Sequence, residues 1–265
     1  MIPPSVAPWS RCEPRRLAGV RGVLTDIDDT LTTEGAIPMG VVAALAALRE
    51  AGLPVFAVTG RPMGWSRVVA EQTPLAAVVA ENGAVALVRD GAEVRVEYVD
   101  PEPVRTANAE RLRAIAARIV AEIPGATLAE DSPGRVTDIA IDHSEFAHLE
   151  PAQIAQVVAV MRAEGMNATV SSIHINGWFG DHNKLSGARW IVRELLGREL
   201  DEETDRWVYV GDSTNDVLMF EHFPHSIGVA NIRRFEAELS HPPEYITPSE
   251  RGAGFAEVAR AILGG

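Results

Sequence analysis

Four short strings in the chain have residue types suited to phosphorus chemistry: Asp26-Ile27-Asp28-Asp29-Thr30, Thr59-Gly60-Arg61, Lys184, and Gly211-Asp212-Ser213-Thr214-Asn215-Asp216. Together they hold a cluster of carboxylates, a hydroxyl beside a glycine amide, and a lysine. On an extended strand Asp26 and Asp28 point to the same side. There they repel each other, and a divalent cation removes that cost. Oxygen-only ligation suits magnesium better than zinc. A carboxylate can attack phosphorus once a cation and a lysine offset the charge of the phosphate. Taken singly, three of the strings have a plainer alternative. Asp26 and Asp28 make a solvated acidic turn, Thr59-Gly60-Arg61 is a strand-to-helix turn, and Asp212 or Ser213 caps a helix.

The elements that must position these residues are legible as apolar runs. Val20 to Thr25, Leu53 to Val58 and Trp207 to Val210 predict buried parallel strands, each ending at one of the strings. Leu75 to Ala80 predicts a further strand. Pro38 to Glu50 predicts a helix that begins after proline and stops at Gly52. Val217 to Phe223 predicts a helix opened by the acidic loop, which lets Asp212 and Asp216 converge. This alternation implies an α/β fold with a doubly wound, Rossmann-like parallel sheet and its site at the strands' carboxyl ends. From Ala84 the texture changes. Val85 to Val88 and Val94 to Tyr98 flank Arg89-Asp90-Gly91, a hairpin signal. Helices at Pro103 to Ala121 and Pro151 to Glu164 follow, with strands near Thr127, Val136 to Ile141, Asn167 to Ser171 and Ile173 to Ile175. The pattern predicts an inserted α+β cap over 84–180. The core then comprises 1–83 and 181–265, rejoined at Lys184 and a helix from Leu185 to Leu196.

The ordered set of four strings resembles the motifs of the haloacid dehalogenase superfamily, on its phosphatase side. Glu81-Asn82-Gly83-Ala84 is similar to a string of the Cof-type branch (subfamily IIB), which includes sugar-phosphate phosphatases. The resemblance spans residues 26 to 216. It implies a magnesium-dependent phosphomonoester hydrolase acting through an aspartyl-phosphate on a small phosphorylated metabolite, such as a sugar phosphate or a glycosyl-phosphoglycerate. Asp26 would be the nucleophile. Asp28 would protonate the leaving oxygen and then activate water. Thr59 and Lys184 would bind the transferring phosphoryl group, with Gly60, Arg61, Asn82 and Asn215 as further substrate-binding positions. Asp26, the backbone carbonyl of Asp28, and Asp212 would hold magnesium, with Asp216 as a ligand or an outer partner. Asp29 stands where the family often has glycine, so it either tunes Asp28 by repulsion or caps the turn. A phosphomutase using the same intermediate, or a catalytically silent binding protein, are the alternatives.

Leaving-group choice is expected where cap meets core. Ser172, His174 and Asn176 share one face of a strand, and Trp178 follows. That face could read a polyhydroxylated leaving group, with Trp178 stacked on a ring. Otherwise His174 is a hydrogen-bonded sheet residue and Trp178 packs a hinge. A net charge of −13 argues against a nucleic-acid binder. A single cysteine, Cys12, excludes an internal disulfide. Met1 to Arg16 has no apolar core of signal length, and Val41 to Leu48 is too short to span a bilayer. No pair among the seven histidines has zinc-ligand spacing. The expectation is a cytoplasmic enzyme, monomer or homodimer, with a small phosphate ester as partner and no nucleic acid or membrane.

Overall fold

Strand β2 (Gly22–Thr25) is buried at every position, as a strand covered on both faces must be. The computed structural model describes residues 6–12, 16–91 and 93–264, so part of the N-terminal segment read above for a leader lies outside the described residues. The first half of the core sheet comprises β1 (Ala7–Pro8), β2, β3 (Val55–Val58), β4 (Ala77–Ala80), β5 (Val85–Asp90) and β6 (Glu93–Tyr98). The insert supplies β7 (Thr127–Leu128), β8 (Asp138–Asp142), β9 (Asn167–Val170) and β10 (His174–Trp178). The core resumes with β11 (Trp207–Gly211), β12 (His225–Gly228) and β13 (Tyr245–Ile246). The helices are α1 (Met39–Glu50), α2 (Met63–Gln72), α3 (Glu102–Glu122), α4 (Pro151–Ala163), α5 (Lys184–Leu196), α6 (Val217–His222) and α7 (Arg251–Leu263).

The core sheet runs β1-β13-β12-β11-β2-β3-β4-β5-β6, parallel from β1 to β4 and antiparallel beyond. Helices α1, α2 and α7 bury Leu45, Val69 and Phe255 on one face. Helices α5 and α6 bury Ile191 and Phe220 on the other. This is the doubly wound α/β arrangement that the apolar runs imply. Its switch point falls between β2 and β11, from which the chain works outward in both directions. Register does the positioning. Val210 pairs with Thr25, and Thr25 with Ala57. Asp26, Thr59 and Asp212 therefore emerge from three adjacent strands at the same end of the sheet.

The insert folds on a separate four-stranded sheet, β7-β8-β10-β9. Its apolar face packs Ile139, Ile141 and Ile175 against Leu112, Ile119, Val157 and Met161 of α3 and α4. Because side chains alternate, His174 and Asn176 take the face opposite Ile175. The β5–β6 hairpin, expected at the start of the insert, is instead hydrogen-bonded to β4 and extends the core sheet. Strand β10 begins one residue later than expected because the Ser171 hydroxyl accepts from the Ile173 and His174 amides and breaks the extended run. No helix among the described residues is long and apolar enough to cross a membrane.

Candidate active site

Asp26 follows β2 directly and is 4% exposed. Lys184, the first residue of α5, reaches it from the other side of the insertion: Nζ donates to Asp26 Oδ1 at 2.6 Å and to Asp216 Oδ1 at 2.7 Å. Burial pushes the Asp26 carboxyl up to about 7, with Lys184 opposing the shift and Asp216 and Asp28 adding to it. Burial alone would lower the Lys184 ammonium, but Asp216 and Asp26 outweigh it and hold the group charged. Asp216 takes two further donors from the turn before it, the amides of Asp212 and Ser213 at 2.9 and 3.2 Å, and a fourth from the Tyr209 hydroxyl. That inward fold of the carboxylate explains Gly211, since a Cβ there would overlap it.

Asp212 is fully buried. Its Oδ2 accepts from Asn231 Nδ2 at 2.9 Å, whereas Oδ1 has no hydrogen-bond partner among the described residues. Burial, reinforced by Asp26 and Asp216, raises its pKa well above the usual carboxylate range. Asp26, Asp212 and Asp216 can bring one oxygen each within 4.8 Å of one another. A dry cluster of hard oxygen donors with an orphaned carboxylate oxygen fits a divalent cation such as magnesium.

Asp28, two residues along, is clamped by the Arg61 guanidinium, whose Nε lies 2.9 and 3.1 Å from its two oxygens. Burial raises the Asp28 carboxyl, and Arg61 opposes it. Arg61 also crosses to the cap, donating to Asp131 at 3.0 Å and to Glu145 at 2.8 Å. Glu145 in turn pairs with His174 Nε2 at 2.8 Å. Burial works against ionisation of Glu145, but the hydrogen bonds from His174 and Arg61 outweigh it and hold its pKa down to about 2. Asn176 donates to Gly60 O at 3.2 Å and to Asp138 Oδ2 at 3.1 Å, and Arg135 donates to Gly60 O at 2.9 Å. The polar face of β10 therefore meets the Thr59-Gly60-Arg61 turn. Between them lies an enclosed cavity of about 10 Å³ lined by Asp26, Asp28, Gly60, His174, Asn176 and Asn215, among others.

The comparisons with known proteins accord with this arrangement. Residues 23–111 match the model of the haloacid dehalogenase-like hydrolase family. The chain is 26% identical over 257 residues to a protein named phosphoglycolate phosphatase from Methanothermobacter thermautotrophicus, covering 92% of this chain and all of the relative. It is 28% identical over 239 residues to one of the same name from Methanosarcina acetivorans, covering 89% and 94% of the two chains. In fold it is similar to a HAD/Cof-like hydrolase from Plasmodium vivax, with a TM-score of 0.67 at 17% identity over 94% of this chain and 98% of that one. Residues 23–111 thus match the haloacid dehalogenase-like hydrolases, and the fold of the chain is similar to that of a Cof-like member.

In this hydrolase the sequence motifs converge as follows. Asp26, Asp28, Lys184, Asp212 and Asp216 come together at the carboxyl ends of β2 and β11 and the start of α5. Thr59 is fully buried, and its hydroxyl accepts from the Arg61 amide at 3.0 Å. Asn82 takes a left-handed backbone, φ 55°, and its amide bonds Thr59 O, which fixes the turn from behind. Asn215 accepts from the Ser213 hydroxyl at 2.9 Å and lines the cavity. Trp178 lies at the hinge instead: its indole donates to His182 O and stacks on the His182 ring, and it does not line the cavity. Asp29 pairs with Arg234 and Arg251, each at 3.0 Å, which is neither of the two roles weighed for it from sequence.

Sequence reading missed the residues that join cap to core. Chief among them is Glu81, fully buried with φ 48°. Its carboxylate accepts from the amides of Met63, Val136 and Thr137 and from the Thr137 hydroxyl. The signal was its place beside Asn82-Gly83, yet a glutamate next to a turn gives no hint of four donors contributed from two distant segments. Glu81→Ala would orphan all four and is expected to cost about 3 kcal/mol of stability. Urea unfolding measures this, and a loss below about 1 kcal/mol would show that water replaces the carboxylate without penalty.

Proposed function

We propose that the protein is a magnesium-dependent phosphomonoester hydrolase that works through an aspartyl-phosphate on Asp26 and acts on a small phosphorylated metabolite. One observation carries the reading. Asp26 is buried against the Lys184 ammonium at 2.6 Å, beside an unpartnered Asp212 oxygen and in one cavity with Asp28.

Asp26 attacks phosphorus as the bond to the leaving alcohol breaks, and Asp28 gives its proton to the departing oxygen. Asp28 then takes a proton from water, which attacks the same phosphorus and releases phosphate and free Asp26. Burial favours the protonated form of Asp28 that the first step needs, while the Arg61 clamp stabilises the carboxylate that the second step needs. Lys184 and the Thr59-Gly60 turn hold the phosphoryl oxygens, and Arg61, Asn82 and Asn215 fix the loops around them. Asp26, Asp212 and the backbone carbonyl of Asp28 would hold magnesium, which would supply electrostatic neutralisation of the phosphate. Asp216 acts as an outer partner in this reading, because its two oxygens already take four donors. His174 and Asn176 set the floor of the leaving-group space, and Trp178 acts through the hinge.

The names of the relatives bring phosphoglycolate into view beside the sugar phosphates and glycosyl-phosphoglycerates expected from sequence. The test is phosphate release from a panel of phosphoglycolate, phosphoglycerates, sugar phosphates and p-nitrophenyl phosphate. Activity is expected with magnesium, lost in chelator, restored by magnesium and not by calcium, whose looser and higher coordination disturbs in-line geometry. Full activity in chelator would falsify the metal assignment.

A further inference from the structure

Beyond the enclosed cavity, on the side of Asp28 away from Asp26, a cleft of about 400 Å³ opens between core and cap. Asp28, Arg61 and Ser172 line both spaces, so the two share a wall that includes the acid proposed to protonate the leaving oxygen. We propose that this cleft is a subsite for a carboxylate carried on the leaving group, bound by Arg251 and Arg234. The proposal rests on the phosphatase reading above and names the class of substrate: phosphate monoesters of small hydroxy acids.

Four acids and three arginines line the cleft, and the arginines carry the donors that an anion would need. Arg234 Nη2 lies 3.0 Å from Asp29 Oδ2, and Arg251 Nε lies 3.0 Å from Asp29 Oδ1. Two guanidinium groups thus share one carboxylate. The second acidic partner of Arg234 is Asp212 Oδ2 at 3.4 Å, the side chain proposed to hold magnesium. Arg234 Nε and Nη1, and Arg251 Nη1 and Nη2, have no hydrogen-bond partner among the described residues. These donors suit a planar carboxylate. Elsewhere in the cleft Arg61 is shared between Asp28 and Glu145. Glu34 also lines the space and opposes an anion, so an ammonium-bearing ligand is the contrary case that the test must include.

The backbone shows that the pair is placed. Five non-glycine residues among the described ones have positive φ, and three of them, Asp29, Glu34 and Arg251, line this cleft. Such conformations persist where the surroundings over-determine them, and they gather at ligand sites. Here the Asn231 side chain does the fixing. It accepts from the Arg251 amide at 2.9 Å and donates to Asp29 O at 3.0 Å and Asp212 Oδ2 at 2.9 Å. One amide group thereby ties the Arg251 backbone to the Asp29 and Asp212 loops. With a net charge of −13 on the chain, the recognition of an anionic tail has to be local in this way.

The experiment compares kcat/KM, with magnesium and the full chain, on three esters that differ only at the tail: phosphoglycolate (carboxylate), ethylene glycol monophosphate (hydroxyl) and phosphoethanolamine (ammonium). The native protein should prefer the carboxylate by about tenfold or more. Arg251→Gln should lower the carboxylate ester at least about tenfold more than the hydroxyl ester, chiefly through KM, and Arg251→Lys should recover part of the difference. Arg234→Gln gives an independent second reading if Arg251→Gln does not fold. Equal hydrolysis of carboxylate and hydroxyl esters, a preference for the ammonium tail, or equal losses on all three esters in the variants would overturn the subsite alone. No phosphate from any ester, p-nitrophenyl phosphate included, would overturn the phosphatase reading and the subsite with it.

Discussion

Replacing Asp26 with asparagine removes turnover by about 10⁴-fold or more and leaves a folded protein. The amide is a poor nucleophile and a poorer ligand for a cation, so both functions of the position go together. Folding should survive, and in chelator it should improve. Asp26 is buried, and burial pushes its carboxyl up to about 7 despite Lys184. A carboxylate whose folded pKa lies above its unfolded value loses stability as pH rises from about 4 through the folded value. At pH 8 without metal, the native protein carries that cost and the asparagine variant does not. Thermal melts in chelator at pH 6 and pH 8 check this: the variant should hold its melting temperature between the two better than the native protein does. Activity within tenfold of native, from a correctly folded variant, removes Asp26 from the chemistry.

Lys184→Met should damage both stability and catalysis. The ammonium is 4% exposed and is the cation that pairs directly with Asp26 and Asp216. Removing one partner of a buried ion pair typically costs about 3–5 kcal/mol, because the remaining charges are left without compensation. Here two carboxylates lose it at once, with the buried Asp212 beside them. The loss should grow from pH 6 to pH 8, as protonation of Asp26 relieves less of the repulsion. Magnesium should return part of the stability by binding the folded state. Activity should fall by about 10³-fold even with saturating magnesium, since a charge that stabilises the transferring phosphoryl group is gone. Denaturant unfolding at two pH values, with and without magnesium, separates these effects. A variant as stable as the native protein at pH 8 in chelator would show that the carboxylates are not held together by Lys184.

What was legible in the sequence follows from how each feature is encoded. The central strands could be read because a strand buried on both faces is an uninterrupted apolar run, as in Val55–Val58 and Ala77–Ala80. Three of the four candidate strings could be read because each closes such a run, whereas Lys184 opens α5. Strand β13 is two residues long and β12 opens on His225 and Ser226, so neither carries a pattern. The β5–β6 hairpin was seen as a hairpin, but no sequence signal tells an extra pair of core strands from the first strands of an insert. Only its pairing with β4 decides that. The polar face of β10 was visible as alternation, and His174 and Asn176 do line the cavity. Their partners were not visible. Glu145, Asp138 and Arg135 lie in or beside cap loops whose approach to Gly60 and Arg61 depends on the cap's position. The same holds for Arg234 and Arg251, which the return of the chain through β12 and β13 brings back to Asp29 across more than 200 positions.

The central claim is that phosphate passes through a covalent bond to Asp26. Asp28→Asn with p-nitrophenyl phosphate and magnesium tests it most directly. The leaving group needs little protonation, so the first step proceeds, while the second stalls without the carboxylate that activates water. After a brief reaction and acid quench, intact mass and peptide mapping should show one added phosphoryl group, located on Asp26, absent in chelator and absent from the Asp26→Asn, Asp28→Asn double variant. Slow release of phosphate by Asp28→Asn with no phosphoryl group on the protein at any time point, or with the group on another residue, would contradict the account.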